Sequence, residues 1–321
     1  MNVPVKLQIG DEIRIVAPSR SGSILSEDGV KSATERLEAL GFKVTFGTYA
    51  FESDLQHSAS IEHRIEDVHE AFRDPAVKGI LTVIGGFNSN ELLPFLDYEL
   101  IGNNPKVFCG YSDITAIASA ITAKTGMITY SGPHFSSFSM DIGREWQTEF
   151  FKKCLMQEEH FALTPSEQWS DDSWYMDQEN RTFEPTEWKV YNEGTAEGQI
   201  FGANLCTLNL LQGTEYMPDL GDSILFLEDD EMTIPETFAR DLASLLQVAG
   251  EIRGLVIGRF QRSSKVTDEQ IQYILDKHPM LQNIPVLYDV DFGHTQPMFT
   301  FPIGGEAVVN SGDCSIELTK F

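Results

Sequence analysis

The sequence predicts an α/β protein, with an N-terminal Rossmann-like domain built on a parallel sheet and a second, mixed α/β (barrel-like) C-terminal domain. Short apolar segments alternate with longer segments of helical periodicity through the first half of the chain. Several of these apolar segments are hydrophobic on both faces, which is typical of a parallel sheet covered by helices on both sides. A length of 321 residues fits about two domains.

The N-terminal elements alternate regularly between strand and helix. Predicted strands lie at residues 12–17, 43–46, 79–84, 106–109 and 127–130, and predicted helices near 26–40, 60–73, 89–96 and 113–124. Ligands bind beyond the carboxyl ends of the strands in such sheets, so the loops that follow the strands should meet at one edge. Those loops comprise residues 18–23, 85–90, 110–113 and 131–134.

The periodicity is lost between residues 164 and 185, where Asp, Ser, Glu and Trp are frequent. Long segments of this kind are usually linkers or functional lids. We therefore predict a first domain over residues 1–165, a connecting loop or lid over 166–190 and a second domain over 191–321. In the second domain, strands are predicted at 198–201, 223–227, 254–258, 285–290, 307–309 and 315–318, and helices near 235–248 and 268–277.

The charge balance limits the classes of partner. The chain has 23 Lys and Arg residues against 49 Asp and Glu residues, a net charge of −26. This charge repels phosphate backbones and anionic lipid, so we expect no nucleic-acid partner and no membrane partner. The sequence has neither a signal-type apolar segment nor a run of 18 apolar residues. We expect a cytoplasmic protein.

Neither the cysteines nor the glycines indicate a metal or a cofactor. Cys109, Cys154, Cys206 and Cys314 lie far apart and form no C-x-x-C pair, so a zinc site and a disulfide scaffold are both disfavoured. We expect them to be reduced and buried. The Gly85-Gly86 pair lacks the G-x-G-x-x-G pattern of a dinucleotide site and fits close backbone approach to a substrate better.

Ser112 is the candidate nucleophile. The apolar strand ending at Cys109 leads through Gly110-Tyr111 into Ser112 and a helix, so the hydroxyl is expected at the carboxyl edge of the sheet and the positive end of a helix. Neighbouring backbone N–H groups could there hold an oxyanion. The alternative is an ordinary helix N-cap, since the turn is not the G-x-S-x-G elbow.

Glu228 and His294 also end apolar segments and could serve as orienting carboxylate and base. Glu228 has two alternatives: a solvated acidic turn, or a magnesium site with Asp229 and Asp230. His134, which lies on the predicted edge of the first sheet, is the rival for the histidine role.

Several short motifs, taken together and in order, resemble the LD-carboxypeptidase family of serine peptidases, which includes the microcin C self-immunity proteins. The resemblance extends from about residue 10 to residue 305. The motifs are IGGFNSN at 84–90 with LLP at 92–94, GYSDIT at 110–115, GANL at 202–205, LED at 227–229, and FGHT at 292–295 with PIG at 302–304.

The resemblance implies a Ser-Glu-His triad, with Ser112 as nucleophile, His294 as general base and Glu228 as its partner. The backbone N–H groups of Gly86 and Asp113 would form the oxyanion hole. It further implies a cytosolic homodimer that needs no metal or cofactor.

The family has two branches with different substrates. One removes the terminal D-alanine from murein tetrapeptide, and the other cleaves the amide-type bond between an amino acid and a nucleotide toxin. The turn at 87–90 resembles the immunity branch, and Glu91 stands where the murein branch is expected to have an arginine. In the immunity branch a loop tryptophan stacks on the nucleobase. The resemblance implies that Trp188 corresponds to this tryptophan, with Trp174 as the alternative.

Further substrate contacts are predicted at Gly85, Asn88, Ser89 and Asn204. We expect a small peptide or aminoacyl-nucleotide substrate. Three other functions stay open: a murein LD-carboxypeptidase, a binding protein that performs no chemistry, and a magnesium hydrolase that a chelator would inactivate.

Overall fold

The computed structural model describes residues 1–321 and has two main sheets. The first sheet has six strands, and all neighbours are parallel except the antiparallel pair at one edge. In spatial order its strands are Phe301–Ile303, Thr129–Ser131, Val107–Cys109, Val77–Thr82, Glu12–Val16 and Lys43–Phe46. This arrangement confirms the α/β fold class and the predicted N-terminal parallel sheet.

Helices and short 3₁₀ turns connect the strands of this sheet. The helices are Glu27–Ala39, Ile61–Arg73, Tyr98–Asn103, Thr115–Thr125 and Glu145–Met156, and the 3₁₀ turns are Gly22–Ile24, Ser89–Phe95, Ser112–Ile114 and Phe135–Ser139. Serine caps two of the helices, because Ser26 and Ser60 each accept a hydrogen bond from a first-turn N–H. The predicted helix at 89–96 is a 3₁₀ segment, since Pro94 lies inside it and has no N–H to donate.

The second sheet is a curled mixed sheet of eight strands, which confirms the mixed C-terminal architecture. In spatial order its strands are Phe161–Leu163, Ser315–Lys320, Glu306–Asn310, Thr195–Asn204, Ile224–Glu228, Gly254–Gly258, Val286–Val290 and Lys189–Asn192. Its helices are Leu205–Asn209, Pro235–Ala249 and Asp268–Asp276, with 3₁₀ turns at Arg262–Ser264 and Pro279–Asn283. A separate hairpin pairs Gln168–Trp169 with Glu184–Pro185.

Each sheet contains one strand from the other half of the chain. Phe301–Ile303 pairs with Thr129–Ser131 in the first sheet, and Phe161–Leu163 pairs with Ser315–Lys320 in the second. One continuous cluster of buried apolar side chains joins the two halves. Each of the two predicted domains, divided near residues 165 and 191, therefore contributes one strand to the sheet of the other.

The cysteines are all free thiols, but they differ in burial. Cys109 and Cys154 are buried as predicted, whereas Cys206 and Cys314 are partly exposed. None of the helices combines the length and the hydrophobicity needed to cross a lipid bilayer.

Candidate active site

Ser112 lies in a tight turn between a strand and a helix. Its φ of +60° is in the left-handed region, which a serine adopts only where the surrounding structure imposes it. Gly110 makes the turn possible, because a Cβ there would stand 2.2 Å from Thr82 Oγ1. The hydroxyl caps neither the 3₁₀ turn nor the helix Thr115–Thr125. The N-cap interpretation of Ser112 therefore does not describe this structure.

The Ser112 hydroxyl instead contacts a histidine that is bound to a carboxylate. His294 Nε2 lies 3.0 Å from Ser112 Oγ, and His294 Nδ1 lies 2.7 Å from Glu228 Oε2. Gly293, with φ of +95°, permits this approach because a Cβ there would stand 2.4 Å from Glu228 Oε2. The structure thus brings together three residues that are far apart in the sequence.

Electrostatics favour a basic His294. Burial opposes the charged imidazolium, but the Glu228 carboxylate, helped by Asp230 and Asp229, outweighs burial and raises the pKa of His294 above 6.5. Glu228 ends the strand Ile224–Glu228 and is almost fully buried. A buried carboxylate on Nδ1 holds the ring so that Nε2 faces the serine.

Asn204 holds Glu228 from behind. Its Nδ2 donates to Glu228 Oε1 at 3.2 Å and to Asp229 Oδ1 at 3.4 Å, and its backbone N–H donates to Thr115 Oγ1 at 3.1 Å. Asn204 is buried and does not line the cleft above Ser112. The amide therefore orients the carboxylate, and the substrate contact expected at Asn204 stays a prediction.

Asp229 is a second buried carboxyl beside Glu228. Burial and the Glu228 charge raise its pKa to about 6. The only grouping with metal-ligand spacing is Cys206, Asp229 and Asp230, whose ligand atoms lie within 4.8 Å of one another. Glu228 is outside this grouping, and its two carboxylate oxygens contact His294 and Asn204.

The Asp113 side chain clamps the glycine turn against the serine turn. Asp113 Oδ2 accepts hydrogen bonds from the backbone N–H groups of Asn88 at 3.1 Å and Ser89 at 2.9 Å, and from Ser19 Oγ at 2.5 Å. Ser89 Oγ donates to the Asp113 carbonyl at 2.6 Å. Asn88 and Ser89 thus fix this turn and are not among the residues that line the cleft, and the substrate contacts expected at these two residues stay predictions.

A side chain would be crowded at both glycines of that turn, most severely at Gly86. A Cβ on Gly85 would lie 3.0 Å from Ser112 Cβ, and one on Gly86 would lie 2.2 Å from Ser19 Oγ. Both glycines line the cleft. The turn thereby brings bare backbone next to Ser112, the arrangement that an oxyanion hole requires.

Ser112 and His294 open into a cleft of about 290 Å³. Large apolar side chains form part of its wall: Phe87, Tyr111, Trp174, Tyr175 and Met232. Arg20 and four acidic residues, Asp171, Asp172, Asp230 and Glu231, complete its charged lining. The connecting segment 166–190 thus supplies one wall of the cleft. An aromatic wall beside a few polar groups suits a small ligand with a flat ring.

The two candidate tryptophans occupy different environments. Trp174 lines the cleft. Trp188 is only 4% exposed, and its indole N–H donates to Asp291 Oδ2 at 2.8 Å, beside the ion pair of Asp291 with Arg259. The Trp188 indole is thus engaged in a buried polar network, whereas Trp174 borders the cleft, and the ligand contact of either tryptophan stays a prediction.

Comparisons with known proteins identify the family of the chain. The family model for the LD-carboxypeptidase N-terminal domain matches residues 13–132, and the model for the C-terminal domain matches residues 197–309. The chain belongs to the LD-carboxypeptidase family. It is accordingly a peptidase, and the resemblance read from its motifs is confirmed.

Relatives from both branches of this family align over nearly the whole chain. YocD of Bacillus subtilis (strain 168), which is named as a carboxypeptidase, is 50% identical over 320 residues and covers 98% of each chain. The microcin C7 self-immunity protein MccF of Escherichia coli is 33% identical, covering 98% of this chain and 94% of its own. A Bacillus subtilis (strain 168) protein named for murein peptide carboxypeptidase activity is 30% identical, covering 97% and 92%.

Solved structures of this family superpose closely. The crystal structure of an MccF-like protein from Bacillus anthracis str. Ames has a TM-score of 0.98 at 52% identity, with full coverage of both chains. MccF in complex with glutamyl sulfamoyl guanosine has a TM-score of 0.90 at 32% identity, covering 99% of this chain and 98% of that one.

Proposed function

We propose that this LD-carboxypeptidase family member is a serine hydrolase that cleaves the amide-type bond between an amino acid and a nucleotide, as in microcin C-like toxins. The observation that carries the proposal is the hydrogen-bonded series Ser112, His294 and Glu228 at the base of a cleft with an aromatic wall. A nucleophile, a base and an orienting carboxylate within hydrogen-bond reach are the parts that acyl transfer needs.

In this mechanism Ser112 Oγ attacks the scissile carbonyl carbon while His294 Nε2 takes the hydroxyl proton. The backbone N–H groups of Gly86 and Asp113 bind the oxyanion of the tetrahedral intermediate. His294 then gives its proton to the leaving nitrogen, and the carbon–nitrogen bond breaks to leave an acyl-enzyme. Water, deprotonated by His294, attacks this ester, releases the amino acid and restores the Ser112 hydroxyl.

The cleft wall and the ligands of MccF support the nucleotide branch. Trp174, Tyr175 and Phe87 give flat apolar surface against which a nucleobase can stack. MccF has been crystallised with glutamyl sulfamoyl guanosine and with aspartyl sulfamoyl adenosine. Glu91, where the murein branch is expected to have an arginine, forms a 2.7 Å ion pair with the buried side chain of Arg64.

The second candidate is a murein LD-carboxypeptidase that releases the terminal D-alanine of a tetrapeptide. The relative named for murein peptide carboxypeptidase activity favours it. The same triad would perform the chemistry, with a free carboxylate on the leaving group. Under either candidate we propose that the protein is cytoplasmic and forms a homodimer. Light scattering of the purified protein would test the dimer.

One incubation distinguishes the candidates. The purified protein is mixed with murein L,D-tetrapeptide and an aminoacyl sulfamoyl adenosine, and products are followed by mass spectrometry beside the Ser112→Ala variant. Serine-dependent loss of the nucleotide conjugate alone supports the proposal. Release of D-alanine alone assigns the murein reaction, and no serine-dependent product contradicts both.

Trp174→Ala is expected to raise KM for an aminoacyl nucleotide by about 10- to 100-fold, because base stacking on an aromatic side chain contributes about 1–3 kcal/mol. The kcat should change little, since the indole is not part of the triad. Steady-state kinetics on the nucleotide conjugate measure this effect.

Trp188→Phe is the matched control for this prediction. It removes the hydrogen bond to Asp291 from a buried site, so the unfolding temperature should fall while KM stays near that of the unmodified protein. An equal rise in KM for both variants would contradict the assignment of Trp174 to the ligand.

A further inference from the structure

His134 is a buried histidine at the cleft for which the triad has no use. It follows the strand Thr129–Ser131, is only 1% exposed, and its ring stacks on Tyr111 with 4.2 Å between centroids. Its Nδ1 lies 2.8 Å from Thr82 Oγ1, whereas its Nε2 has no hydrogen-bond partner in the protein. A buried polar atom without a partner is costly, so a group that reaches it is favoured.

The contacts of Thr82 determine which ring nitrogen carries the proton. The only other acceptor near the Thr82 hydroxyl is the Cys109 carbonyl at 3.5 Å, too far for a good O–H···O bond. We infer that the hydroxyl donates to His134 Nδ1 at 2.8 Å and not to the carbonyl at 3.5 Å, which leaves the proton of the neutral ring on Nε2. Burial, with a smaller effect of His294, lowers the pKa of His134 well below 6.5, so the ring stays neutral. Nε2–H is a neutral hydrogen-bond donor.

This donor faces the space beside the candidate nucleophile. Gly85 lies between two groups. A Cβ built on Gly85 would stand 3.1 Å from Ser112 Oγ and 3.4 Å from His134 Nε2. Both groups therefore lie close to the bare backbone of Gly85, and Gly85, Ser112 and His134 all line the cleft. A substrate bound for attack by Ser112 therefore comes within reach of His134.

The chemistry of the substrate determines which of its atoms can meet an N–H donor. On the acyl side of the scissile amide, the α-ammonium of an aminoacyl group is itself a donor, and the proposed mechanism already assigns the carbonyl oxygen to the N–H groups of Gly86 and Asp113. On the leaving side, both substrate classes carry acceptor oxygens near the scissile nitrogen, separated from it by one atom in a nucleotide conjugate and by two atoms in a murein peptide. These are sulfonyl or phosphoryl oxygens in a nucleotide conjugate and the terminal carboxylate in a murein peptide.

We propose that His134 Nε2–H donates to this acceptor oxygen on the leaving group and so positions the scissile bond over Ser112. This inference rests on the proposed function and assigns His134 as a substrate-binding residue. It is not a second base, because the ring presents a proton, not a lone pair, to the cleft.

Binding measurements in the Ser112→Ala background test the assignment apart from turnover. The ligands are an aminoacyl sulfamoyl adenosine, its analogue with methylene in place of the sulfonyl group, and murein L,D-tetrapeptide, each titrated by calorimetry. His134→Asn keeps a polar atom near Nδ1 to meet Thr82 but removes the Nε2 donor. His134→Gln is the matched variant, because its amide nitrogen can replace Nε2.

We expect His134→Asn to weaken the Kd of the acceptor-bearing ligand by about 10- to 100-fold, as for a hydrogen bond to a charged or strongly polar group. His134→Gln should bind within about threefold of its parent. The methylene analogue should bind all three proteins alike. Loss with the sulfonyl ligand identifies a nucleotide acceptor, and loss with the tetrapeptide identifies a carboxylate.

The proposal is overturned if His134→Asn binds every ligand as its parent does, or if Asn and Gln weaken the methylene analogue equally, which would indicate a purely structural role. Failure of the Ser112→Ala parent to bind either acceptor-bearing ligand would overturn it as well. The hydrolase proposal fails on a different result, namely ordinary turnover by Ser112→Ala.

Discussion

Ser112→Ala is expected to lower kcat by about 10⁴- to 10⁶-fold, the range found when the nucleophile of a serine hydrolase triad is removed. Alanine lacks the only oxygen that His294 Nε2 contacts at 3.0 Å, so no acyl-enzyme can form. Mass spectrometry of products, with the unmodified protein at equal concentration, measures the loss. A fluorophosphonate should add to the unmodified protein at Ser112 and leave the variant unlabelled.

Ser136→Ala is a suitable control, because Ser136 lines the same cleft but forms no part of the triad. Its kcat should remain within a few-fold of the unmodified value, in keeping with the small effect of most substitutions outside a catalytic unit. Ordinary activity in folded Ser112→Ala would contradict the hydrolase assignment and favour a binding protein.

Glu228→Gln is expected to lower kcat by about 10³- to 10⁴-fold while preserving the shape of the side chain. Glutamine cannot stabilise the imidazolium that forms when His294 takes the serine proton. It also removes the main attraction that raises the pKa of His294. In the unmodified protein, kcat/KM should rise with pH through a pKa above 6.5, because His294 must be neutral to act as base.

In Glu228→Gln the rise of kcat/KM with pH should occur at lower pH, since the pKa of His294 falls once the carboxylate is lost. Asp230→Asn is the matched control: it also removes a negative charge near His294, but Asp230 makes no hydrogen bond to the ring. In Asp230→Asn the pH at which kcat/KM rises should shift less, and kcat should stay near that of the unmodified protein. Equal losses in both variants would contradict a specific role for Glu228.

Local sequence pattern predicted most of the secondary structure. The strands Lys43–Phe46 and Gly254–Gly258 have the predicted bounds, because a short apolar run between turn residues fixes where a buried strand begins and ends. The helices Tyr98–Asn103 and Glu145–Met156 were not predicted. The former is only six residues long, and the latter begins without a side-chain cap.

The local sequence pattern could not predict which strands pair when they lie far apart in the chain. Nothing in Phe161–Leu163 or Phe301–Ile303 indicates a partner about 150 residues away or more, because hydrogen bonds between strands form across space and leave little trace in three residues. The predicted division at residues 165 and 191 therefore could not anticipate that each sheet takes a strand from the other half.

Among the candidate site residues, the sequence by itself determined which ones lie at strand ends. Ser112, Glu228 and His294 each come at or just after an apolar segment, and the ends of such segments meet at sheet edges. Tertiary structure alone decided the roles of Trp174, which lines the cleft, and Trp188, which bonds to Asp291, because two tryptophans in one irregular segment have no periodicity to separate them. It also decided that Asn204 supports Glu228, since burial and hydrogen-bond partners belong to the folded chain and not to the sequence.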